Sequence, residues 1–476
     1  MLRVALPIAL CVGSPAFAQT EAGVASARVS EAWQPPFLTT TRYDEHYEQL
    51  ADPRARSGHW TEPFKYIPVG DDGAYLTTGI ELRARNEAFR NNFWEDHPEA
   101  DDKYLWLRAL PYADLHVGRV RGFVQPIAAY AAGVSRGPSP IDQTRVDLLQ
   151  GFADVRLGEA ATGRTDAAGV TLRAGRQLLS LGSERLIGTR YGINVPLGFD
   201  GFRGLVSFDG ALLNLISVRP VQAGPGTFDD RRSRTRSLYG AYLTLPNVGL
   251  SSGLDLYWLG YENDAARFGG ILGEEERHSV GARIFGRSAG WRWNVEGIYQ
   301  FGHFADDTIS AWTVGSEIGY ASSGVPLAPD FTFRFNIISG DKRAGDRVLG
   351  TFNALFPRGK YFGELSPVGP SNIISANPRA SFALGDSVSA SIAGMAYWRY
   401  SRGGGVYDIP GNLVRPAGTA AARFIGKQAE VTLSWQATPE LELSTSLSAF
   451  DAGAFIHQTG SAKTITMVGL EANSRF

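Results

Sequence analysis

Cysteine is almost absent: Cys11 is the only one in 476 residues. A disulfide framework is therefore excluded, and so is a thiolate metal site. Long apolar runs are missing too. No stretch approaches the roughly 18 residues that a membrane-spanning helix needs, so any path of this chain through a membrane has to be made of strands. Net charge is small, a formal −2, which argues against a nucleic-acid partner and against electrostatic attachment to a surface. Motifs for chemistry are scarce. There is no H-E-x-x-H pair and no P-loop, and the seven histidines (His46, His59, His97, His116, His278, His303 and His457) stand without ligand spacing. Such a pattern leads us to expect no cofactor and no metal. His303 beside Asp306-Asp307, and the run Glu274-Glu275-Glu276, read as solvated loop tips.

What is present begins with an address. Arg3, the apolar stretch Val4 to Val12 and Ala16-Phe17-Ala18 before Gln19 make a secretory signal peptide over residues 1–18. Cys11 follows bulky Leu10 rather than a small residue, so a lipid anchor is not expected. At the other end, Ile465 to Phe476 alternates, with Val468, Leu470, Ala472 and Phe476 on one face and Glu471, Asn473 and Arg475 on the other. Apolar outside and charged inside suits a membrane sheet, because lipid cannot satisfy polar groups while a water-filled lumen can. A strand of this kind ending in an aromatic looks like the signal read by the barrel-assembly machinery, although the position two before the end is Ser474.

The same alternation runs through the chain. In Tyr75 to Arg90, Ile80, Leu82, Ala84 and Ala88 share one face and Glu81, Arg83, Arg85 and Glu87 the other. It returns at Leu149 to Leu157, Trp291 to Gly302, Phe331 to Ile337 and Gln428 to Gln436. Starts fall near residues 75, 103, 118, 146, 169, 203, 211, 236, 252, 277, 290, 310, 329, 374, 387, 424, 440 and 464. The expectation is an all-β chain, a transmembrane antiparallel β-barrel of about eighteen strands with long external loops and short periplasmic turns. The barrel takes residues 75–476, and residues 19–74, with Pro35-Pro36 and a helical-looking Asp44 to Leu50, lie in the periplasm or fold into the lumen. Leu181 to Phe202 and Gly340 to Ser371 read as external loops. The apolar content of the second, with Phe352, Leu355, Phe356, Tyr361 and Phe362, argues that it packs and narrows the pore.

A barrel of this size leaves an aqueous channel, so function should lie in what lines it. Arginines recur at inward positions: Arg83, Arg85, Arg108, Arg121, Arg156, Arg173, Arg283, Arg292, Arg334 and Arg379. Rings of arginine favour anions and fork onto carboxylates. Inward acids match them one for one, Glu81, Glu87, Asp114 and Asp154 among them, and cross-strand pairing that merely stiffens the wall is the competing role.

The densest polar cluster runs from Arg173 through Gly175-Arg176-Gln177, Glu184-Arg185 and Arg190 to Asp200-Gly201-Phe202-Arg203. With Gly182 to Gly188, Arg42-Tyr43-Asp44-Glu45, Lys65 to Pro68, Gly79 to Arg83, Gly340-Asp341-Lys342 and Phe352 to Pro357, it resembles the alginate-export family of outer-membrane porins. The resemblance implies a monomeric porin with an arginine-rich conduit for an acidic polysaccharide or its oligosaccharides. Carried onto this chain, it puts Arg176 and Arg203 in the conduit, with Asp200 and Glu184 as partners. It also implies contact with outer-membrane lipid and leaves room for periplasmic secretion partners. The turn at Ala437 to Glu440 is too short to offer a periplasmic lid. A porin for small neutral or anionic solutes, and a barrel hydrolase assembling Ser and His from different strands, are the alternatives.

Overall fold

The computed structural model describes residues 40–70, 73–157, 169–322, 324–343 and 345–476; the proposed signal peptide lies outside them. Among these residues no helix is long and apolar enough to cross a membrane. The wall is made of strands β1 (Ala74–Arg90), β2 (Asp102–Val117), β3 (Val120–Ala132), β4 (Arg145–Leu157), β5 (Gly169–Leu178) and β6 (Gly198–Phe208). It continues through β7 (Ala211–Gln222), β8 (Arg236–Leu245), β9 (Ser252–Phe268), β10 (Ile271–Ser288), β11 (Trp291–Phe304) and β12 (Asp307–Ala321). Strands β13 (Asp330–Ile338), β14 (Ile373–Ala383), β15 (Val388–Arg399), β16 (Phe424–Thr438), β17 (Leu441–Ala452) and β18 (Ile465–Arg475) complete it. Each pairs antiparallel with the next. The barrel closes where β1 meets β18, from Glu81 opposite Arg475 to Arg90 opposite Thr466.

Alternation decides the register. Leu82, Leu433 and Leu470 face outward and are exposed, while Glu81, Arg83, Arg85 and Glu87 are buried inside. A slip by one residue would move arginines into hydrocarbon at roughly 2–4 kcal/mol each near the midplane. Exposed aromatics gather toward both ends of the wall: Trp291, Tyr320, Phe331 and Trp435 near the end that carries Phe476, Trp258, Tyr299 and Phe301 toward the other. This is the two-girdle pattern of a membrane barrel.

Several boundaries differ from the sequence expectation. β6 begins at Gly198, not near 203, so Phe199, Asp200 and Phe202 belong to the wall rather than to a loop. β10 begins at Ile271, not near 277. Not every external connection is long: β9 and β10 meet at Gly269-Gly270, both at positive φ, and β11 and β12 meet at Ala305-Asp306. Here the strands themselves, 17 and 18 residues in β9 and β10, rise beyond the roughly 9–11 residues a membrane strand needs. Asp44 to Leu50 is not one helix but the 3-10 turns Arg42–Asp44 and Glu48–Ala51. Gly286-Arg287-Ser288-Ala289-Gly290 carries the letters of a nucleophile elbow, yet it joins two strands instead of a strand and a helix.

Residues 40–66 pack against the inner wall at the end that carries Phe476. Tyr43 lies edge-on to Phe123 (5.8 Å) and Phe152 (5.2 Å), and its hydroxyl donates to Leu178 O at 2.8 Å. Arg42 donates to Phe476 O at 2.9 Å. Lys65 Nζ donates to Tyr112 Oη (2.9 Å) and Thr78 O (3.1 Å). That approach requires Gly79, because a Cβ there would collide with Lys65 Nζ and the Tyr112 ring. β1 extends past the end of β18, and Ile67–Val69 pairs with Ala74–Leu76 along part of the uncovered length. The open edge left at the closure is thereby shortened.

Candidate permeation site: two infolded loops

Two connections, residues 179–197 between β5 and β6 and residues 339–372 between β13 and β14, enter the lumen. Their apolar side chains explain why. Leu186, Ile187, Phe352, Phe356 and Phe362 join one buried core with Phe199 and Tyr397 of the wall, and Phe199 meets Phe356 edge-on at 5.2 Å. The loops are also bonded to each other. Gly188 N donates to Phe356 O (2.8 Å), Phe356 N to Leu186 O (2.8 Å) and Arg358 N to Glu184 O (3.1 Å).

Wall arginines hold the first loop. Arg83 donates to Tyr191 O (3.0 Å) and Ile193 O (2.8 Å); Arg108 donates to Ile193 O (2.9 Å) and pairs with Glu81 at 2.6 Å. The Tyr191 hydroxyl also bonds Glu81. Across the lumen, Arg185 pairs with Glu296 (3.2 Å) and donates to Asn336 Oδ1 (2.9 Å) and Tyr361 Oη (2.7 Å). The second loop is pinned by Lys360 to Glu87 (2.6 Å) and by Glu364 to Arg85 (2.5 Å). Burial pushes the Glu364 carboxyl up, but Lys360 and Arg85 hold it well below its ordinary range. Among the described residues Glu184 has no such cation at bonding distance: burial raises its pKa, and its carboxylate accepts from Thr189 N.

The expected site residues divide. Arg121 pairs with Asp114 (2.6 Å) and Arg173 with Asp154 (2.8 Å), both beneath the N-terminal segment, where Arg121 donates to Tyr43 O and Arg173 stacks 4.3 Å from the Tyr43 ring. Arg176 pairs with Asp200 (2.7 Å), as expected. Arg203 instead bonds Asn214 Oδ1 (2.9 and 2.5 Å), and Glu184 partners neither arginine. Arg156 stands exposed at the inner rim. Arg334 pairs with Glu317, Arg292 with Asp330 (2.5 Å) and Arg379 with Glu430 (3.3 Å).

The surroundings of these pairs differ by side of the barrel. The side chains of Arg108 and Arg173 are 0 % and 4 % exposed, those of Arg292 and Arg379 23 % and 26 %. Arg358, on the second loop, lies in electrostatic reach of Arg334, and burial together with that like charge lowers its pKa to about 10. Arg358, Lys360 and Glu364 escaped sequence reasoning, because two-residue alternation has no meaning inside a loop. Asp147, Asp229 and Asp230 also converge, with oxygens within 4.8 Å of one another. The amides of Leu148, Gly224, Gly226 and Asp230 point at these carboxylates and offset their repulsion. A hollow of about 740 Å³ lies over Ala241, Ala282 and Gly297 on the wall face that carries exposed Leu256 and Trp258, open to lipid and away from the lumen.

A family model described as alginate export matches residues 74–469. The chain belongs to the alginate-export family. Among curated proteins no sequence match is found. Solved Pseudomonas aeruginosa structures share the fold of this alginate-export barrel. OpdQ is 10 % identical with a TM-score of 0.57, covering 87 % of this chain and 99 % of that one. OccK2 in complex with glucuronate is 12 % identical (TM-score 0.56, 87 % and 99 % covered), and OpdK with vanillate is 13 % identical (0.53, 84 % and 98 %). At such identities the likeness is one of fold. Family and fold together make the protein an outer-membrane porin.

Proposed function

We propose that this porin passes an acidic polysaccharide of the alginate type, or its oligomers, along the side of the lumen formed by β11 to β16. The observation that carries the reading is the set of part-exposed arginines there: Arg292, Arg334 and Arg379 on the wall and Arg358 on the infolded loop. The carboxylate partners of the three wall arginines are on the wall as well, so a uronate can replace one partner at a time and move from guanidinium to guanidinium without leaving a wall cation bare. OccK2, alike in fold, is solved with glucuronate, a single uronate. On this reading Arg121 and Arg173 stiffen the opposite wall, and Arg176 and Arg203 lie beside the path. A leader ending at Ala18 is removed before assembly through the C-terminal strand.

The test is electrical. In planar bilayers, Arg334→Gln with Arg379→Gln lowers anion-over-cation permeability, read from reversal potentials in a salt gradient, and weakens block by added polyuronate. Low effective dielectric in a narrow pore makes two lost charges count. An unchanged block in a stably folded double variant overturns the reading.

A further inference from the structure

Behind the first infolded loop, at the external ends of β3 to β8, lies a cleft of about 290 Å³. Its walls are largely aliphatic, with Ile141, Leu148, Val195, Leu197 and Val221 among them, beside the Phe356 ring and the polar side chains of Gln222 and Asp230. Three guanidinium groups reach it: Arg176 from β5, Arg190 from the loop and Arg236 from β8. Arg176 is taken by Asp200. The other two are not: among the described residues neither Arg190 nor Arg236 has a side-chain hydrogen bond or an ion pair, and Arg190 Nε is buried without an acceptor.

The carboxylates nearby are already engaged. Asp230 accepts from Thr144 Oγ1 (2.7 Å) and Gly224 N (2.8 Å). Asp408, in electrostatic reach of Arg190, accepts from Asn412 N (2.7 Å) and Nδ2 (2.9 Å). Two cations thus share a small, largely aliphatic cleft with no acceptor bonded to either among the described residues, and burial together with Arg236 lowers the pKa of Arg190 to about 10. A buried donor left unmade is costly, so an acceptor supplied from outside gains more here than in water.

We propose that this cleft binds a small aliphatic monocarboxylate, its carboxylate forked between Arg190 and Arg236 and its hydrocarbon body against the aliphatic walls. A single negative charge fits better than two, because a dianion would also face Asp230 and Asp408. The cleft lies at the small end of ligand sites, too small for a sugar chain. This binding does not depend on the polyuronate reading.

Calorimetry on the folded full-length protein tests it, with cyclohexanecarboxylate as probe and acetate and cyclohexanecarboxamide as controls. The expected result is saturable binding of cyclohexanecarboxylate and none of either control. Arg190→Gln with Arg236→Gln weakens it by roughly tenfold or more, the change that loss of charged donors produces. Heat-modifiable gel mobility reports folding. Should that variant not fold, Val195→Trp, which fills the cleft and keeps both arginines, abolishes binding. Equal binding of the carboxamide, or binding unchanged in a folded variant, overturns the proposal. So does a double variant that loses polyuronate block while still binding the small acid, since its arginines then belong to the conduit.

Discussion

The two sides of the lumen use the same pair of residue types for different ends. Along β1 to β6, arginine and carboxylate meet under cover: Arg108 with Glu81 beneath the first loop, Arg121 with Asp114 and Arg173 with Asp154 beneath the N-terminal segment. Along β11 to β16, Arg292, Arg334 and Arg379 have partners too, but their side chains stay 20–26 % exposed. What separates a structural ion pair from one available to a solute is the chain folded on top of it. A charge ladder on a strand therefore says where charges point, and only the loops and the N-terminal segment say which of them meet solvent.

The largest effect expected from breaking that difference is on the covered side. Asp154→Ala leaves Arg173 buried against Phe152, at 3.8 Å, and Tyr43 without its paired carboxylate, which costs about 3–5 kcal/mol. Urea unfolding in lipid vesicles measures it. A loss no larger than that from Asp330→Ala on the part-exposed side would erase the distinction.

A smaller effect contrasts the lumen with the lipid face of the same strand. Leu433 is exposed outward on β16 and Thr432 points inward. Leu433→Arg lowers bilayer folding stability by roughly 2–4 kcal/mol if it lies near the midplane, whereas Thr432→Arg is tolerated. Equal tolerance at the two sites would remove the register argument.

The wall was legible in the sequence because lipid on one side and water on the other force a period of two, and almost every strand start came within a few residues. The two worst placements have physical causes. At β6, Gly198 and Gly201 interrupt the alternation, so Phe199 and Asp200 read as loop. At β10, Glu274-Glu275-Glu276 reads as a loop tip, yet Glu275 is buried against Arg277 (2.5 Å) and accepts from Asn353 Nδ2 (3.1 Å). The site was less legible. Arg83, Arg108 and Arg334 were found by their facing, but their roles depend on which loop carbonyls and covers they meet. The Glu184 assignment failed because its loop turns the carboxylate back onto Thr189 N.

The smallest effect concerns how firmly the N-terminal cover is seated. Lys65 is buried among Tyr112, Tyr47 and Phe476, and burial, with Arg42 adding repulsion and Glu45 opposing it, lowers its pKa from 10.5 to about 7. A lysine with a depressed pKa binds fewer protons seated than released between those two values, so seating strengthens as pH rises through that window and weakens as pH falls toward 7. Arg54 and Arg56 lie in an exposed stretch of the same segment and offer trypsin two sites that are cut faster when the segment loosens. Protection of the wild type relative to Lys65→Met, compared at each pH to cancel the enzyme's own pH dependence, should therefore rise between about pH 7 and pH 10. Parallel profiles for the two proteins would show that Lys65 does not set the seating, and would leave the cover to the Tyr43 and Arg42 contacts alone.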